Sequence, residues 1–353
     1  MKKNDIVFEA NGALNRRSFL RLSGLLGLGL VSASIVPAAA EAVKFNRKAY
    51  KVSSTRLAMG TVVSMTIIHP SRDQAEEAMG QAFREIDRLM LSMNRFDDTT
   101  AVSQLNTEGS LKDSPPEVVD VFASAIAYNR LTHRAFDISV KPVVDLFKAT
   151  FTRGKNRLPT ERELRQTLDL VGSDKIEVKE STIRFKRPGM GITLDGIAKG
   201  YIVDRASKIL VRNKIKNHLI NAGGDIKAMG ARGLKKAWTV AIQDPGKKKQ
   251  YPDVICLTDA AVATSGNYEV YFDGEKMFHH IVDPRTGLSP IMNASVSVTA
   301  PTAMDADALS TSAFVMEPAH AIQFIDSLSD CECLIMARGG KTIKSSGWGS
   351  MTI

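Results

Sequence analysis

The chain has 353 residues, of which 44% are hydrophobic and 24% charged, and its net charge is +9. This balance excludes a disordered or collagen-like chain and is typical of a soluble globular protein with one large domain or two ordinary ones. Lysine and arginine are scattered apart from short patches such as Lys247-Lys248-Lys249. The basic excess therefore favours anionic small ligands such as phosphates and does not indicate a nucleic-acid partner.

The first residues have the three regions of an export signal. Basic residues precede an apolar, glycine-rich run over residues 22–36, and Pro37-Ala38-Ala39-Ala40 then supplies small residues for cleavage. The stretch Arg16-Arg17-Ser18-Phe19-Leu20-Arg21 resembles the signal that the twin-arginine export machinery reads. A membrane-anchoring helix is the alternative, but the run is shorter than the roughly 20 apolar residues that span a bilayer.

We therefore expect a cleaved twin-arginine signal peptide at residues 1–42 and a periplasmic protein at residues 43–353. The cysteines are Cys256, Cys331 and Cys333, and none lies near the cleavage point, so no lipid anchor is indicated. Their odd number and their spacing fit neither a disulfide framework nor a zinc site. We expect them to be packing residues.

From residue 50 onward, short β-rich stretches alternate with amphipathic helices, without an internal repeat or a low-complexity linker. Thr160, with Glu163 three residues later, predicts a capping box at the start of one helix. In chain order, this part is predicted to form a strand at 61–68, helices at 72–93, 115–132 and 160–170, strands at 175–178 and 182–185, a helix at 196–213 and a strand at 218–221.

The C-terminal part is richer in strands, which often follow one another directly while helices intervene irregularly. This order favours an α+β fold over a doubly wound parallel sheet, and we predict a single compact domain with mixed or antiparallel sheets and packed helices. The predicted strands are 238–243, 254–258, 261–265, 268–272, 294–299, 333–337 and 342–344, and the predicted helices are 305–315 and 318–327.

Residues 194–204 are the most informative segment for chemistry. Gly196 and Ala198 place small residues at the mouth of a predicted helix, where a ligand can approach exposed backbone N–H groups and the helix dipole favours anions. Lys199 lies in the first turn, where a cation is unfavourable unless an anion is nearby. The pattern indicates phosphate binding, although small residues at a helix start also serve close packing.

A second candidate element is the predicted helix that contains Asp307 and Thr311. These residues are four apart and therefore share one face of a helix. A carboxylate and a hydroxyl presented together are hard oxygen ligands suited to Mg²⁺. The alternative is an aspartate cap with a threonine that bonds back to the preceding turn, which this spacing favours equally.

Three further stretches combine glycine with polar side chains. Residues 221–226 place paired glycines after an apolar strand, and Thr264-Ser265-Gly266 is similar; each also suits an ordinary turn. The stretch 279–287 gathers a base, a carboxylate, a guanidinium and a rigid turn in nine residues. Its His280 and Asp283 are candidate catalytic residues.

Eight motifs, taken in order, resemble the ApbE family of FAD:protein FMN transferases, and the resemblance covers roughly residues 55–317. Such a likeness implies an α+β flavin transferase that uses Mg²⁺ and takes FAD as its substrate. The motifs are Ala58-Met59-Gly60-Thr61, Val102-Ser103-Gln104-Leu105-Asn106, Ala135-Phe136-Asp137-Ile138-Ser139-Val140, Gly196-Ile197-Ala198-Lys199-Gly200-Tyr201, residues 221–226, Thr264-Ser265-Gly266, residues 280–287 and residues 307–311.

The resemblance also implies roles for individual residues. The metal would be held by the backbone carbonyl of Gly196, the carboxylate of Asp307 and the hydroxyl of Thr311. Lys199 would lie near the pyrophosphate, and His280 and Ile281 would line the same cleft. The implied contacts with the flavin nucleotide are Met59, Phe96, Ala135, Phe136, Asp137, Thr193, Lys199 and Ile281.

Two positions depart from the family pattern. Thr193-Leu194-Asp195 stands where family members often have Asp-Leu-Gly or Asp-Leu-Ser, so the usual carboxylate at position 193 is missing. Asp195 either substitutes for it or caps the following helix. Lys141 also replaces a common glycine before Pro142.

These residues suggest a mechanism in which FMN passes from FAD to a Thr or Ser hydroxyl and AMP is released. Mg²⁺ and Lys199 would neutralise the phosphates, and His280 would be the general base, because imidazole titrates close to neutral pH. Asp283 would orient His280, or else it is fixed in its Asp-Pro turn.

The implied acceptor is a flavoprotein of a membrane or periplasmic electron-transfer system. A periplasmic FAD pyrophosphatase and a flavin-binding carrier remain alternatives. A flavin-using reductase is a weaker one, because no Gly-x-Gly-x-x-Gly fingerprint follows a strand.

Overall fold

The computed structural model describes residues 41–46, 49–151, 157–233, 236–246, 251–267 and 278–349. Almost all of the predicted signal peptide and the predicted strand at 268–272 lie outside these ranges, so both stay predictions. No helix in the described ranges combines the length and the apolarity that crossing a bilayer requires.

A nine-stranded sheet organises the chain, and every pair of neighbouring strands in it is antiparallel. In spatial order its strands are β1 (Glu41–Asn46), β2 (Ala49–Ala58), β3 (Thr61–His69), β7 (His218–Ala222), β8 (Asp225–Met229), β11 (Ala260–Gly266), β12 (Asn293–Ala300), β13 (Glu332–Ala337) and β14 (Thr342–Lys344).

Two smaller antiparallel sheets accompany it. One is a hairpin of β9 (Trp238–Ile242) and β10 (Asp253–Leu257). The other contains, in spatial order, β4 (Ser110–Leu111), β6 (Thr182–Phe185) and β5 (Ile176–Lys179).

Eight α-helices lie within the described ranges, so the predicted α+β fold with packed helices and antiparallel sheets is confirmed. The predicted capping box also forms, because Thr160 and Glu163 exchange both hydrogen bonds. The helices are α1 (Arg72–Met93), α2 (Ala101–Glu108), α3 (Pro116–Leu131), α4 (Lys141–Phe151), α5 (Glu161–Leu168), α6 (Ala198–Arg212), α7 (Ala303–Val315) and α8 (Pro318–Asp326).

The large sheet is buried on both faces. Ala261 and Ala263 belong to the main core with α1, α6 and α7, whereas Val262 between them belongs to a second cluster beneath the β9–β10 hairpin. This alternation follows from the two-residue period of a strand. Trp238 anchors the hairpin, and its indole N–H donates to the carbonyl of Met229 at 3.0 Å. On the opposite face of the sheet, which includes Ala261 and Ala263, helices α6 and α7 pack beside each other.

Candidate functional site

An open cleft lies where α6 and α7 meet β8 and β11, and residues 135–144 and 280–284 complete its walls. It encloses about 870 Å³, including space open to solvent. The predicted site residues in its lining are Ala135, Phe136, Asp137, Thr193, Gly196, Lys199, His280, Ile281, Asp307 and Thr311.

The start of α6 approaches α7 closely at the base of the cleft. A Cβ atom at Gly196 would lie 2.8 Å from Thr311 Oγ1 and 3.3 Å from Phe136 Cε2, so only glycine fits this contact without displacement of its neighbours. The helix begins at Ala198, and its N-cap residue Ile197 makes no side-chain capping bond. Thus Gly196, predicted as the first helical residue, belongs to the loop and is placed against the Thr311 side chain.

Asp307 is a buried carboxylate at this base, with 5% exposure. Its Oδ2 accepts a hydrogen bond from the backbone N–H of Gly200 at 3.0 Å. Burial raises the pKa of Asp307 well above its usual value, and the nearby negative charge of Asp225 raises it further, while Lys199 and the Gly200 N–H oppose the rise. The carboxylate is therefore held in a place where an added positive charge would stabilise its ionised form.

Lys199 and Asp225 form an ion pair beside Asp307. The Nζ of Lys199 lies 3.3 Å from Oδ2 of Asp225, which is 2% exposed. The base of the cleft therefore combines two buried carboxylates with one ammonium group. Because the negative charge of Asp225 disfavours ionisation of Asp307, a cation bound beside the two carboxylates would stabilise both.

Hydroxyl groups connect Thr311 to the neighbouring strand. Ser265 Oγ lies 3.1 Å from Thr311 Oγ1 and 2.9 Å from Ser310 Oγ. Ser265 is at the end of β11, whereas Thr311 and Ser310 belong to α7. These bonds restrict the rotation of the Thr311 hydroxyl and hence the direction of its lone pairs.

The segment of His280 forms one wall of the cleft, with buried Ile281 next to it. The Asp283 carboxylate accepts three hydrogen bonds from Arg285, at 2.8–2.9 Å, within its own turn. Asp283 does not itself line the cleft in the described part of the chain. These bonds agree with the alternative prediction that Asp283 is fixed in its Asp-Pro turn. The predicted role of Asp283 in orienting His280 stays a prediction. The neighbouring His279 is buried, and its Nε2 lies 3.1 Å from the carbonyl oxygen of Pro290.

Asp137 organises the opposite wall. Its Oδ1 accepts hydrogen bonds from the N–H and hydroxyl of Ser139 and from the hydroxyl of Ser173, at 2.6–2.9 Å. Its Oδ2 accepts from the Asn129 amide at 2.9 Å and from the backbone N–H of Ser173 at 3.0 Å. The carboxylate thus joins Ser139, Ser173 and Asn129 through bonds inside the protein, directly after the Ala135–Phe136 wall.

Asp195, predicted either to substitute for the missing carboxylate or to cap the following helix, also lines the cleft. It does not cap α6; its carboxylate instead accepts hydrogen bonds from Arg95, the shortest at 2.7 Å. Partial removal from water opposes ionisation of the Asp195 carboxyl group, although its side chain stays 45% exposed, and the hydrogen bonds and charge of Arg95 hold its pKa below its usual value. Thr193 Oγ1 accepts the Asp195 backbone N–H at 3.3 Å.

Met59 and Phe96 are placed outside the described lining of the cleft. Phe96 is 72% exposed, and the guanidinium of Arg95 lies 4.1 Å from its ring centroid. The backbone N–H of Met59 donates to Met90 Sδ at 3.2 Å, which joins the β2–β3 turn to the end of α1. Phe96 is therefore connected to the cleft through Arg95 and Asp195.

Sequence reasoning gave no role to Asp225, Ser265 or Arg95. Asp225 and Ser265 lie inside glycine-containing motifs that the sequence analysis identified. Their position next to a glycine could therefore have marked them as candidate site residues. No local signal exists for Arg95, because its partner Asp195 is 100 residues away in the chain.

The residues present fit a magnesium ion by the chemistry of their donors. The described residues contain no cluster of three or more His, Cys, Asp or Glu side chains that could hold a metal. The predicted set uses one carboxylate, one hydroxyl and one backbone carbonyl, from Asp307, Thr311 and Gly196. All are hard oxygen donors, and Mg²⁺ normally keeps further positions for water and substrate phosphates.

Comparisons with known proteins agree with this architecture. The model of the ApbE family matches residues 59–335. The FAD:protein FMN transferase of Haemophilus influenzae is 32% identical over 271 residues, which are 74% of this chain and 76% of that protein.

Two solved structures share the fold. The ApbE protein of Thermotoga maritima has a TM-score of 0.78 at 27% identity, and the match covers 86% of this chain and 99% of that one. The flavin transferase ApbE of Vibrio cholerae has a TM-score of 0.73 at 25% identity, covering 85% and 98%.

Proposed function

The chain belongs to the ApbE family and is a flavin transferase, and we propose that it moves FMN from FAD to a Thr or Ser hydroxyl of an acceptor protein. AMP is the second product. The observation that carries the proposal is the convergence of Gly196, Lys199, Asp307 and Thr311 at the base of one cleft. Such a set suits the binding of a pyrophosphate together with a divalent cation.

Gly196, Asp307 and Thr311 would hold Mg²⁺ through their oxygen atoms. When bound, the ion would neutralise phosphate charge and orient the pyrophosphate. The ion pair of Asp225 with Lys199 supports the same role, because it keeps the ammonium at the start of α6. From there Lys199 donates hydrogen bonds to phosphate oxygens, and the N-terminal dipole of α6 acts in the same direction.

His280 is the proposed general base. It accepts the proton of the acceptor hydroxyl as that oxygen forms a bond to the phosphorus atom of the FMN half. The bond from this phosphorus to the bridging oxygen breaks, and AMP leaves with the bridging oxygen. An imidazole suits this role because it exchanges a proton near neutral pH.

The acceptor is proposed to be an exported flavoprotein of a membrane or periplasmic electron-transfer system. This part of the proposal rests on the export signal in the sequence, whose arginine pair indicates the twin-arginine machinery. A periplasmic location of the enzyme is part of the same proposal, and the same signal supports it.

The test is to incubate the protein with FAD, MgCl₂ and an acceptor domain that contains a flavinylation site, and to measure the acceptor by mass spectrometry. An FMN adduct that disappears with EDTA supports the transferase and its metal dependence. Free FMN and AMP without an adduct would instead indicate FAD hydrolysis, and unchanged FAD would indicate a flavin carrier.

Matched variants of α7 test the assigned metal ligands. We expect Asp307→Asn and Thr311→Val to lose Mg²⁺-dependent transfer by about a hundredfold or more while they stay folded. Ser312→Ala is the control, because the Ser312 hydroxyl donates to the carbonyl of Ala308 at 2.6 Å within the same helix. Full activity of both ligand variants would refute the metal assignment.

A further inference from the structure

Helices α6 and α7 are joined by hydrogen bonds that run in both directions. The carboxylate of Asp204 in α6 accepts the backbone N–H of Ala303 at 3.0 Å and that of Met304 at 2.9 Å. In return, Gly200 in α6 donates its N–H to Asp307 in α7 at 3.0 Å. Each helix therefore supplies one carboxylate to the backbone of the other.

The spacing of these groups fixes how the two helices lie against each other. Gly200 and Asp204 are four residues apart, as are Ala303 and Asp307, so each pair shares one face of its helix. A Cβ atom at position 200 would lie 2.3 Å from the carbonyl oxygen of Ala303. The helices are thus in backbone contact, and the two sets of hydrogen bonds prevent α7 from sliding along α6.

Local capping of α7 does not require Asp204. The helix already has an N-cap in Thr302, whose hydroxyl accepts the backbone N–H of Asp305 at 3.0 Å. Asp204 is 9% exposed and lies in another helix, so its burial must be offset by what it binds. The two N–H groups at the positive end of α7 oppose part of that cost, since they favour a negative charge, although burial still raises the pKa of Asp204 above its usual value. The bonds of Asp204 therefore serve the attachment of one helix to the other.

We propose that Asp204 is a positioning residue of the metal and phosphate site. It holds the start of α7 against α6, and so it sets the distance from Asp307 and Thr311 on α7 to Gly196 and Lys199 at the start of α6. Asp204 itself does not line the cleft in the described part of the chain. The proposal rests on the proposed function, because it gives Asp307 and Thr311 the role of metal ligands.

The experiment compares Asp204→Asn with Thr302→Ala in the full-length protein. Asp204→Asn keeps the shape of the side chain but places an amide NH₂ against one backbone N–H, so one of the two bonds from the side chain to the start of α7 is lost and the other loses its charge. Thr302→Ala removes a cap of the same helix but leaves both bonds. Both changes are expected to lower Tm, and Tm measured against MgCl₂ alone gives the Kd for Mg²⁺.

We expect Asp204→Asn to raise this Kd about tenfold, within the range typical of groups that support metal ligands, and Thr302→Ala to change it less than about twofold. The Mg²⁺ concentration for half-maximal FMN transfer should rise in parallel. Ala303→Pro is a second variant, because proline at a first helical position removes one N–H donor to Asp204 without a change to the carboxylate. Ala303→Pro should also raise the Kd for Mg²⁺.

The outcomes separate this proposal from the function on which it rests. If the wild type binds Mg²⁺ and Asp204→Asn binds it equally well, Asp204 is not a positioning residue, and the proposed function stands. An equal loss in Asp204→Asn and Thr302→Ala would also overturn it, because helix stability alone would then explain the effect. If the wild type transfers FMN without any Mg²⁺, the metal assignment is wrong and the proposal for Asp204 falls with it.

Discussion

Arg95 and Asp195 form a bidentate ion pair across 100 residues of sequence, with Nη2 of the arginine 2.7 Å from Oδ2 of the aspartate. The pair places a carboxylate in the cleft next to the position where the family usually has one, and it keeps that carboxylate ionised. The same guanidinium stacks on Phe96, so one arginine connects the exposed aromatic ring with the interior of the cleft.

Asp195→Asn is expected to raise the KM for FAD about tenfold, because a hydrogen bond to a charged group contributes roughly 1.5–3 kcal/mol. Arg95→Gln should have a smaller effect in the same direction, and the double variant should show that the two changes are not additive. Steady-state kinetics with varied FAD measure both. Arg157→Gln is the control, because it breaks a bidentate ion pair with Glu163 that does not line the cleft. If the KM for FAD is unchanged in Asp195→Asn, Asp195 has no role in FAD binding.

Gly200→Ala should destabilise the fold, because its Cβ would lie 2.3 Å from the backbone oxygen of Ala303. The expected loss is about 2 kcal/mol or more in the free energy of unfolding, measured with urea. Gly80→Ala provides the matched comparison within α1, since its nearest neighbour would be the end of the Arg84 side chain at 3.5 Å. That variant should gain roughly 0.5–1 kcal/mol, as alanine does in a helix interior. A Gly200→Ala variant as stable as the wild type would show that the two helices can separate freely.

Stability should fall in mild acid because of His218. Burial lowers the pKa of this histidine from 6.5 to about 4 in the folded protein. Between these values the unfolded chain binds the proton and the folded protein does not, so stability is complete above pH ~6.5 and declines toward pH ~4, by up to about 1.4 kcal/mol per pH unit.

The measurement is urea unfolding at several pH values for the wild type and His218→Gln. Glutamine can keep a hydrogen bond to Ser207, whose Oγ lies 2.8 Å from Nε2 of His218, but it does not titrate in this range. The wild type should lose more stability than the variant as the pH falls from 7 to 5. Parallel curves would show that His218 does not contribute to the pH dependence.

Cys331 and Cys333 should resist alkylation in the native protein. Both are buried free thiols, and burial raises the pKa of Cys331 to about 11 and that of Cys333 to about 12. The reactive thiolate is therefore scarce near neutral pH. Iodoacetamide followed by peptide mass spectrometry should label both residues slowly in the native state and rapidly in urea, and equal rates in the two states would contradict their burial.

Local pattern predicted most of the secondary structure. The apolar positions of α1 repeat on one face, and its predicted range agrees with the observed Arg72–Met93. By contrast, α4 was missed, because Val143 and Val144 lower its helical propensity and its buried face is short. Strand β2 was missed because its buried positions include Ser54, which interrupts the alternation of apolar and polar residues.

The site could be predicted only where its residues lie in local motifs. Gly196, Lys199, Asp307 and Thr311 are in such motifs, and the fold brings all four to one cleft. The contacts of Asp204 depend instead on N–H groups 99 and 100 residues further along the chain, and no local pattern encodes such a pairing. The surroundings of the proposed metal ligands therefore follow only from the tertiary structure.

The pairing of β3 with β7 has a consequence for the chain while it is being made. Val63 lies opposite Ala222 and Ile67 opposite His218, although α1 to α6 are synthesised between the two strands. The edge of β3 in the β2–β3 hairpin therefore stays unpaired until β7 has emerged from the ribosome. Contacts between segments so distant in sequence also form slowly. An open edge pairs readily with other chains. We therefore expect nascent chains of this protein to be most prone to aggregation before β7 has been synthesised. A chaperone that covers the β2–β3 hairpin during this interval would protect them.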